Sequence, residues 1–197
     1  MRTRTGIILA GAAVPVLVGA VIMVMSAWTE ADESIGGPFT MTSDLGQTVT
    51  EADLKGKPSV IYFGFTSCPE VCPTTLNELA LLMSELGDDA DKLNYVMVSV
   101  DPEQDTVELL HDYLGIFDER IRGFVGTPEQ LRQMADGYRV YYQKVPTEYG
   151  YTMDHTATVY LMDADTHFFG TISYQEDHDT ALGKLKRLIE SNSGWFS

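Results

Sequence analysis

The 197-residue chain has two cysteines, and both fall in Phe63-Gly-Phe-Thr-Ser-Cys68-Pro-Glu-Val-Cys72-Pro-Thr-Thr-Leu76. Two are too few for a disulfide scaffold, and so close a pair reads first as a metal or redox site. The segment follows an apolar, strand-like run and opens a helical one. Proline has no N–H, so Pro73 fits the first helical position. Cys72 then lies near the N-cap and Cys68 in the preceding turn. Free backbone N–H groups and the positive helix end favour thiolates there. Two thiolates suit Cu(I), Zn²⁺ or iron–sulfur chemistry. The count excludes a four-cysteine cluster, so a mononuclear site needs another residue type. The same sulfurs could be the attacking and resolving thiols of a disulfide exchanger. Their spacing is one residue longer than the usual redox C-x-x-C. The plainer readings are two buried, inert cysteines, or a structural disulfide whose short loop adds little stability.

Four histidines could supply the further ligand. His155 stands in Gly150-Tyr-Thr-Met-Asp-His155-Thr-Ala-Thr-Val-Tyr160, just before an apolar run. His111 falls on the polar side of an amphipathic helix. His167 lies in a turn, and His178 at a helix start between Asp177 and Asp179; all three read as surface residues. Met153 is a thioether neighbour of His155, but most methionines belong to cores or anchors. Asp101 ends a strand-like run in Ser99-Val-Asp101-Pro-Glu-Gln-Asp-Thr106. It reads as a cap for the following turn, or as an outer residue tuning the cysteine site.

Positioning these residues falls to a regular series of elements. Phe39 to Val49 alternates around Ser43-Asp-Leu-Gly46 and reads as a hairpin. Ser59–Phe65 and Asn94–Val100 are compact apolar runs, read as buried strands. Leu76, Leu79, Ala80, Met83 and Leu86 recur at helical spacing between them. Asp105–Leu114 and Pro128–Tyr138 read as helices. Thr156–Met162 and Phe168–Tyr174 are strands around a turn at Asp163–His167, and Thr180–Glu190 is a closing helix. The expected order is hairpin, β, α, β, α, α, β, β, α. An early β-α-β unit and a later hairpin with a helix form the thioredoxin-like pattern: an α/β fold with a mixed sheet flanked by helices. In such a fold the segment before the later hairpin passes beside the first strand-to-helix turn. His155 would then reach the cysteines.

The first segment is of another kind. Gly6 to Trp28 carries no charge and is rich in aliphatic residues, long enough as a helix to cross a hydrocarbon core of about 30 Å. It exceeds the core of a cleavable signal peptide. Arg2 and Arg4 precede it; Glu30, Asp32 and Glu33 follow. The basic end stays inside and the domain projects outward, into the periplasm or, in a eukaryote, the mitochondrial intermembrane space. The expected organisation is therefore a single-pass N-terminal transmembrane helix over 1–28, a linker over 29–37 and a domain over 38–197. A net charge of −16 excludes nucleic acid as the main partner and favours cations or basic proteins.

Taken together, these pieces resemble the Sco/SenC family of membrane-anchored, thioredoxin-like copper proteins used in cytochrome oxidase assembly. Carrying the resemblance are Gly37-Pro38-Phe39, Gly56-Lys57-Pro58, Tyr62-Phe63-Gly64-Phe65-Thr66, Cys68-Pro69-x-x-Cys72-Pro73, Ser99-Val100-Asp101-Pro102 and Asp154-His155. It implies copper ligands at Cys68, Cys72 and His155, with Asp101 as the acidic residue near the site. Glu70 stands where the family usually has Asp, and Gln104 where it usually has Arg. The implied role is a metallochaperone. It would take copper, Cu(I) or Cu(II), from a donor protein and deliver it to the binuclear copper centre in the copper-bearing subunit of cytochrome c oxidase. Two rival readings use the same cysteines. One is a thiol–disulfide oxidoreductase that reduces the target's cysteines, with Cys68 and Cys72 catalytic; the other is a redox or copper sensor.

Overall fold

The computed structural model describes residues 34–193. The expected anchor, and the linker as far as Glu33, lie outside them. No helix among the described residues is long and apolar enough to cross a membrane.

Nine strands and four α-helices form the domain. They are β1 (Thr40–Ser43), β2 (Thr48–Thr50), β3 (Ser59–Gly64), α1 (Val71–Leu86), β4 (Asn94–Ser99), α2 (Val107–Gly115), β5 (Ile121–Val125), α3 (Pro128–Tyr138), β6 (Tyr142–Thr147), β7 (Gly150–His155), β8 (Val159–Met162), β9 (Phe168–Ile172) and α4 (His178–Ser193). Seven strands form one sheet in the order β2-β1-β5-β4-β3-β8-β9, and β6 pairs with β7 in a separate sheet. β3, β4 and β5 run parallel, with β1 and β8 antiparallel on their flanks. This is the expected mixed sheet.

Both faces of the sheet are covered. Neighbouring residues of a strand point to opposite faces. Phe63 packs against Tyr138 of α3, whereas Gly64 approaches Cys72 of α1. Every residue of β3 is buried, which explains its unbroken apolar composition. Packing begins inside the segment read as a linker: Ile35 lies against the core, and the Gly36 N–H donates to the Gly137 carbonyl at 2.9 Å.

Two strand features escaped the sequence reading. Arg122 and Gly123 interrupt the apolar run of β5. Arg122 is there to bond Asp44 in the β1–β2 turn, at 2.7 Å. Gly123 lets α2 come close, since a Cβ would meet Leu110 Cγ at 2.5 Å. The β6–β7 hairpin is half exposed and carries Pro146, so it lacks an apolar stripe. Its proline is tolerated because β6 is an edge strand. β8 also starts later than expected, at Val159 rather than Thr156.

His178 joins the two helices on the α1 side. Its Nδ1 meets Glu78 and its Nε2 meets Glu85 at 3.1 Å, both on α1. The Glu78 hydrogen bond, aided by the one to Glu85, raises the His178 pKa above its usual value. This group binds its proton more tightly folded than unfolded. Its stabilisation is complete below the unfolded value of about 6.5 and is lost as pH rises through the raised folded value. His178→Gln should therefore lower the urea midpoint at about pH 5.5, and the gap from the parent should close by about pH 9. A gap of constant size across that range would show that the imidazolium makes no contribution.

Candidate metal centre

Gly64 ends β3, and the chain turns through Phe65–Glu70 into α1. The helix starts at Val71, two residues earlier than expected, which puts Pro73 at its third position. The proline is still harmless there, because the first-turn N–H groups have no intrahelical acceptor. Thr74 makes the helix's first bond, to the Glu70 carbonyl at 3.1 Å. The Cys72 N–H is thereby left to point outward, and it donates to the Cys68 sulfur at 3.3 Å. No side chain caps this helix; the sulfur takes up one of its free donors.

His155 arrives from the far end of β7. Its Nε2 lies 3.6 Å from the Cys72 sulfur, although the two residues are 83 positions apart in sequence. Its Nδ1 lies 3.0 Å from the Thr156 carbonyl. A carbonyl only accepts, so Nδ1 carries the proton and Nε2 presents its lone pair to the sulfurs. The rings of Phe65 and Tyr62 meet the imidazole edge-on, at centroid distances of 5.7 and 6.2 Å. One ligand atom from each of Cys68, Cys72 and His155 lies within 4.8 Å of the other two.

The two sulfurs differ. Cys68 is partly exposed and Cys72 buried, and both are free thiols. The Cys72 thiol donates to Cys68, and the Cys72 and Glu70 backbone N–H groups add to this, bringing the Cys68 pKa down to about 4. Holding its proton toward Cys68, in a buried position, raises the Cys72 pKa. The arrangement is one ready thiolate with a protonated thiol behind it. Gly64 is required beside them, for a Cβ there would meet the Tyr62 ring at 2.8 Å and the Cys72 sulfur at 3.1 Å.

The other candidates go elsewhere. His111 bonds Asp44 at 3.0 Å, His167 lies 3.4 Å from Asp163, and His178 joins α1 to α4. Met153 packs against the core. Asp101 is buried, and its carboxylate accepts from the Tyr151 hydroxyl at 3.0 Å and the Gln104 amide at 3.1 Å. Gln104, standing where the resemblance suggests an arginine, thus keeps the loop fixed through a hydrogen bond from an uncharged donor.

Asp105 is a site residue that the sequence pattern places in a helix, but α2 begins only after the Thr106 cap, whose side chain accepts from the Leu109 N–H. Asp105 is free to turn inward. Its carboxylate accepts from the Thr66 hydroxyl at 2.6 Å, the Thr66 N–H at 3.3 Å and the Ser99 hydroxyl at 2.6 Å. An acidic residue just ahead of a Thr cap was the available signal.

The SCO1/SenC family model matches residues 28–190. The chain belongs to the SCO1/SenC family. It is 40% identical over 148 residues to the mitochondrial protein SCO1 homolog 1 of Arabidopsis thaliana, covering 74% of this chain and 44% of that protein. It is 39% identical over 142 residues to protein SenC of Rhodobacter capsulatus, covering 70% and 63%. The structure of Bradyrhizobium japonicum ScoI with copper bound superposes with a TM-score of 0.74 at 46% identity, covering 79% of this chain and 99% of that one. The chain spans about half the length of the mitochondrial relatives it matches.

Removing the Asp105 carboxylate strands the half-buried Thr66 and the buried Ser99 donors. Asp105→Ala should cost about 1–3 kcal/mol of folding free energy, read from denaturant unfolding. An unchanged unfolding midpoint would show that these bonds do not hold the cysteine turn.

Proposed function

We propose that this protein is a copper metallochaperone that holds its cargo through Cys68, Cys72 and His155. The observation that carries the reading is the convergence of those three ligand atoms within 4.8 Å. It is supported by a family relative, 46% identical, whose structure has copper bound. The donor set fits the ion. Two thiolates are soft ligands that satisfy Cu(I), and an imidazole nitrogen extends the set to Cu(II). Three donors leave the site open, as exchange with a partner requires, unlike a closed four-ligand structural site. The cargo comes from a donor protein and goes to the copper-bearing subunit of cytochrome c oxidase, the role implied by the family resemblance.

One observation favours a second reading. A partly exposed thiolate backed by a buried thiol is also suited to attack and resolution in thiol–disulfide exchange. That chemistry has no need of the imidazole. The variants therefore separate the two. Cys68→Ser and Cys72→Ser should each abolish tight copper binding under the chaperone reading. His155→Ala should lose Cu(II) more than Cu(I), and at limiting copper should fail in oxidase assembly as the cysteine variants do. Excess copper should rescue loss of the protein. Full activity of a His155→Ala strain at limiting copper, with rescue by an external thiol reductant, would instead establish the exchanger.

The same proposal places residues 1–28 in the membrane as a single-pass anchor, 29–37 as a linker whose end packs on the domain, and 38–197 as the outward-facing copper domain. The uncharged Gly6–Trp28 run, with arginines before it and acids after it, supports this orientation. A reporter that works only outside the cytoplasm should be active when fused after Ser197. Activity there of a reporter confined to the cytoplasm would reverse the topology.

A further inference from the structure

His155 is delivered by a hairpin that is not part of the main sheet. β6 and β7 pair only with each other. Their base is closed where the Thr156 N–H donates to the Tyr141 carbonyl at 3.0 Å. Alternation puts Tyr151, Met153 and His155 on one face of β7, and Met153 packs on the core. Away from the base, the described polar contacts between hairpin and domain are two. Lys144 pairs with Glu103 at 2.6 Å, but both side chains are largely exposed, and such pairs contribute little. The Tyr151 hydroxyl donates at 3.0 Å to Asp101, whose residue is only 2% exposed. Lys144 also covers the Tyr151 ring, 4.1 Å from its centroid.

The other end of this bond is firmly held. The Ser99 hydroxyl accepts from the Asp101 N–H at 3.1 Å and donates to Asp105 at 2.6 Å. Asp105 in turn binds Thr66, two residues before Cys68. Hydrogen bonds thus run without a break from the cysteine turn to β7. Tyr151 closes this frame about 14 Å along the strand from His155, at about 3.4 Å per residue.

We propose that Tyr151 is a positioning residue for His155, and that its bond to Asp101 latches the hairpin so as to set the copper site's preference between Cu(II) and Cu(I). The inference rests on the copper reading above. Cu(I) is satisfied by two thiolates, whereas Cu(II) depends on the nitrogen donor. A loosened hairpin therefore weakens Cu(II) and spares Cu(I). A hydrogen bond to a carboxylate of this kind corresponds to about a tenfold effect.

The test is copper affinity of the purified full-length chain, measured for each oxidation state by chelator competition, together with the Cu(II) EPR spectrum. Tyr151→Phe keeps the ring and removes the hydroxyl. It should weaken Cu(II) about tenfold, leave Cu(I) within about twofold and alter the nitrogen hyperfine pattern. The bound Cu(II)/Cu(I) potential should rise by about 59 mV, the one-electron equivalent of tenfold. Asp101→Ala should have the same effect, and the double variant should not exceed either single one. His155→Ala separates the two levels of inference. If it loses Cu(II) while Tyr151→Phe behaves as the parent, the latch is overturned and the copper site stands. An equal fall in both affinities for Tyr151→Phe also overturns the latch. If His155→Ala binds Cu(II) as the parent does, the copper reading fails and takes the latch with it.

Discussion

Ser99 ends β4, Thr66 lies two residues past the end of the neighbouring parallel strand β3, and both give a hydrogen bond to the Asp105 carboxylate. That carboxylate is 3% exposed, and burial raises its pKa against the pull of its donors. Water does not compete for the bonds, and the donors have no other described acceptor. The turn carrying Cys68 is therefore fixed to the sheet rather than to the surface. Its geometry is inherited by the start of α1, where the Cys72 N–H meets the Cys68 sulfur. The same Ser99 hydroxyl steadies the backbone of Asp101, so the histidine-bearing hairpin is referred to the same point.

This arrangement divides the site into a rigid half and an attached half. The sulfurs sit on a strand-to-helix turn, at the carboxyl ends of parallel strands where α/β proteins gather their ligands. The imidazole sits on a two-stranded hairpin with few links to the rest. In the proposed function the division has a use. Two thiolates from the rigid half are enough to carry Cu(I), and the attached half adds or relinquishes a donor without disturbing the sheet.

Much of this was legible from residue types. Ser59–Gly64 and Asn94–Ser99 announced themselves because strands buried on both faces must be apolar throughout. The closing helix likewise showed its stripe. β5 was not legible, because two of its five residues answer to tertiary partners. Arg122 answers to Asp44, and Gly123 to the approach of Leu110. The β6–β7 hairpin hid for the opposite reason: a half-exposed sheet buries too little to leave a pattern. The three converging residues could be named from their types, the thioredoxin-like order and the family resemblance. Tyr151 could not, since a hydrogen bond across 50 positions leaves no local spacing to read; Asp105, bonded across 39 positions, left only its place just ahead of a Thr cap.

The asymmetry of the two sulfurs follows from the same construction and bears on how cargo would leave. Cys72 is on the helix and buried; Cys68 is in the turn and partly exposed. In the proposed function, a partner's thiol would approach the metal from the side of Cys68 and displace that sulfur first, since Cys72 is shielded by Tyr62 and Gly64. Exchange would then proceed from the outer sulfur inward, with the buried one released last. In the proposed function, the unequal exposure that makes the pair resemble a redox couple would also let a copper site open from one side.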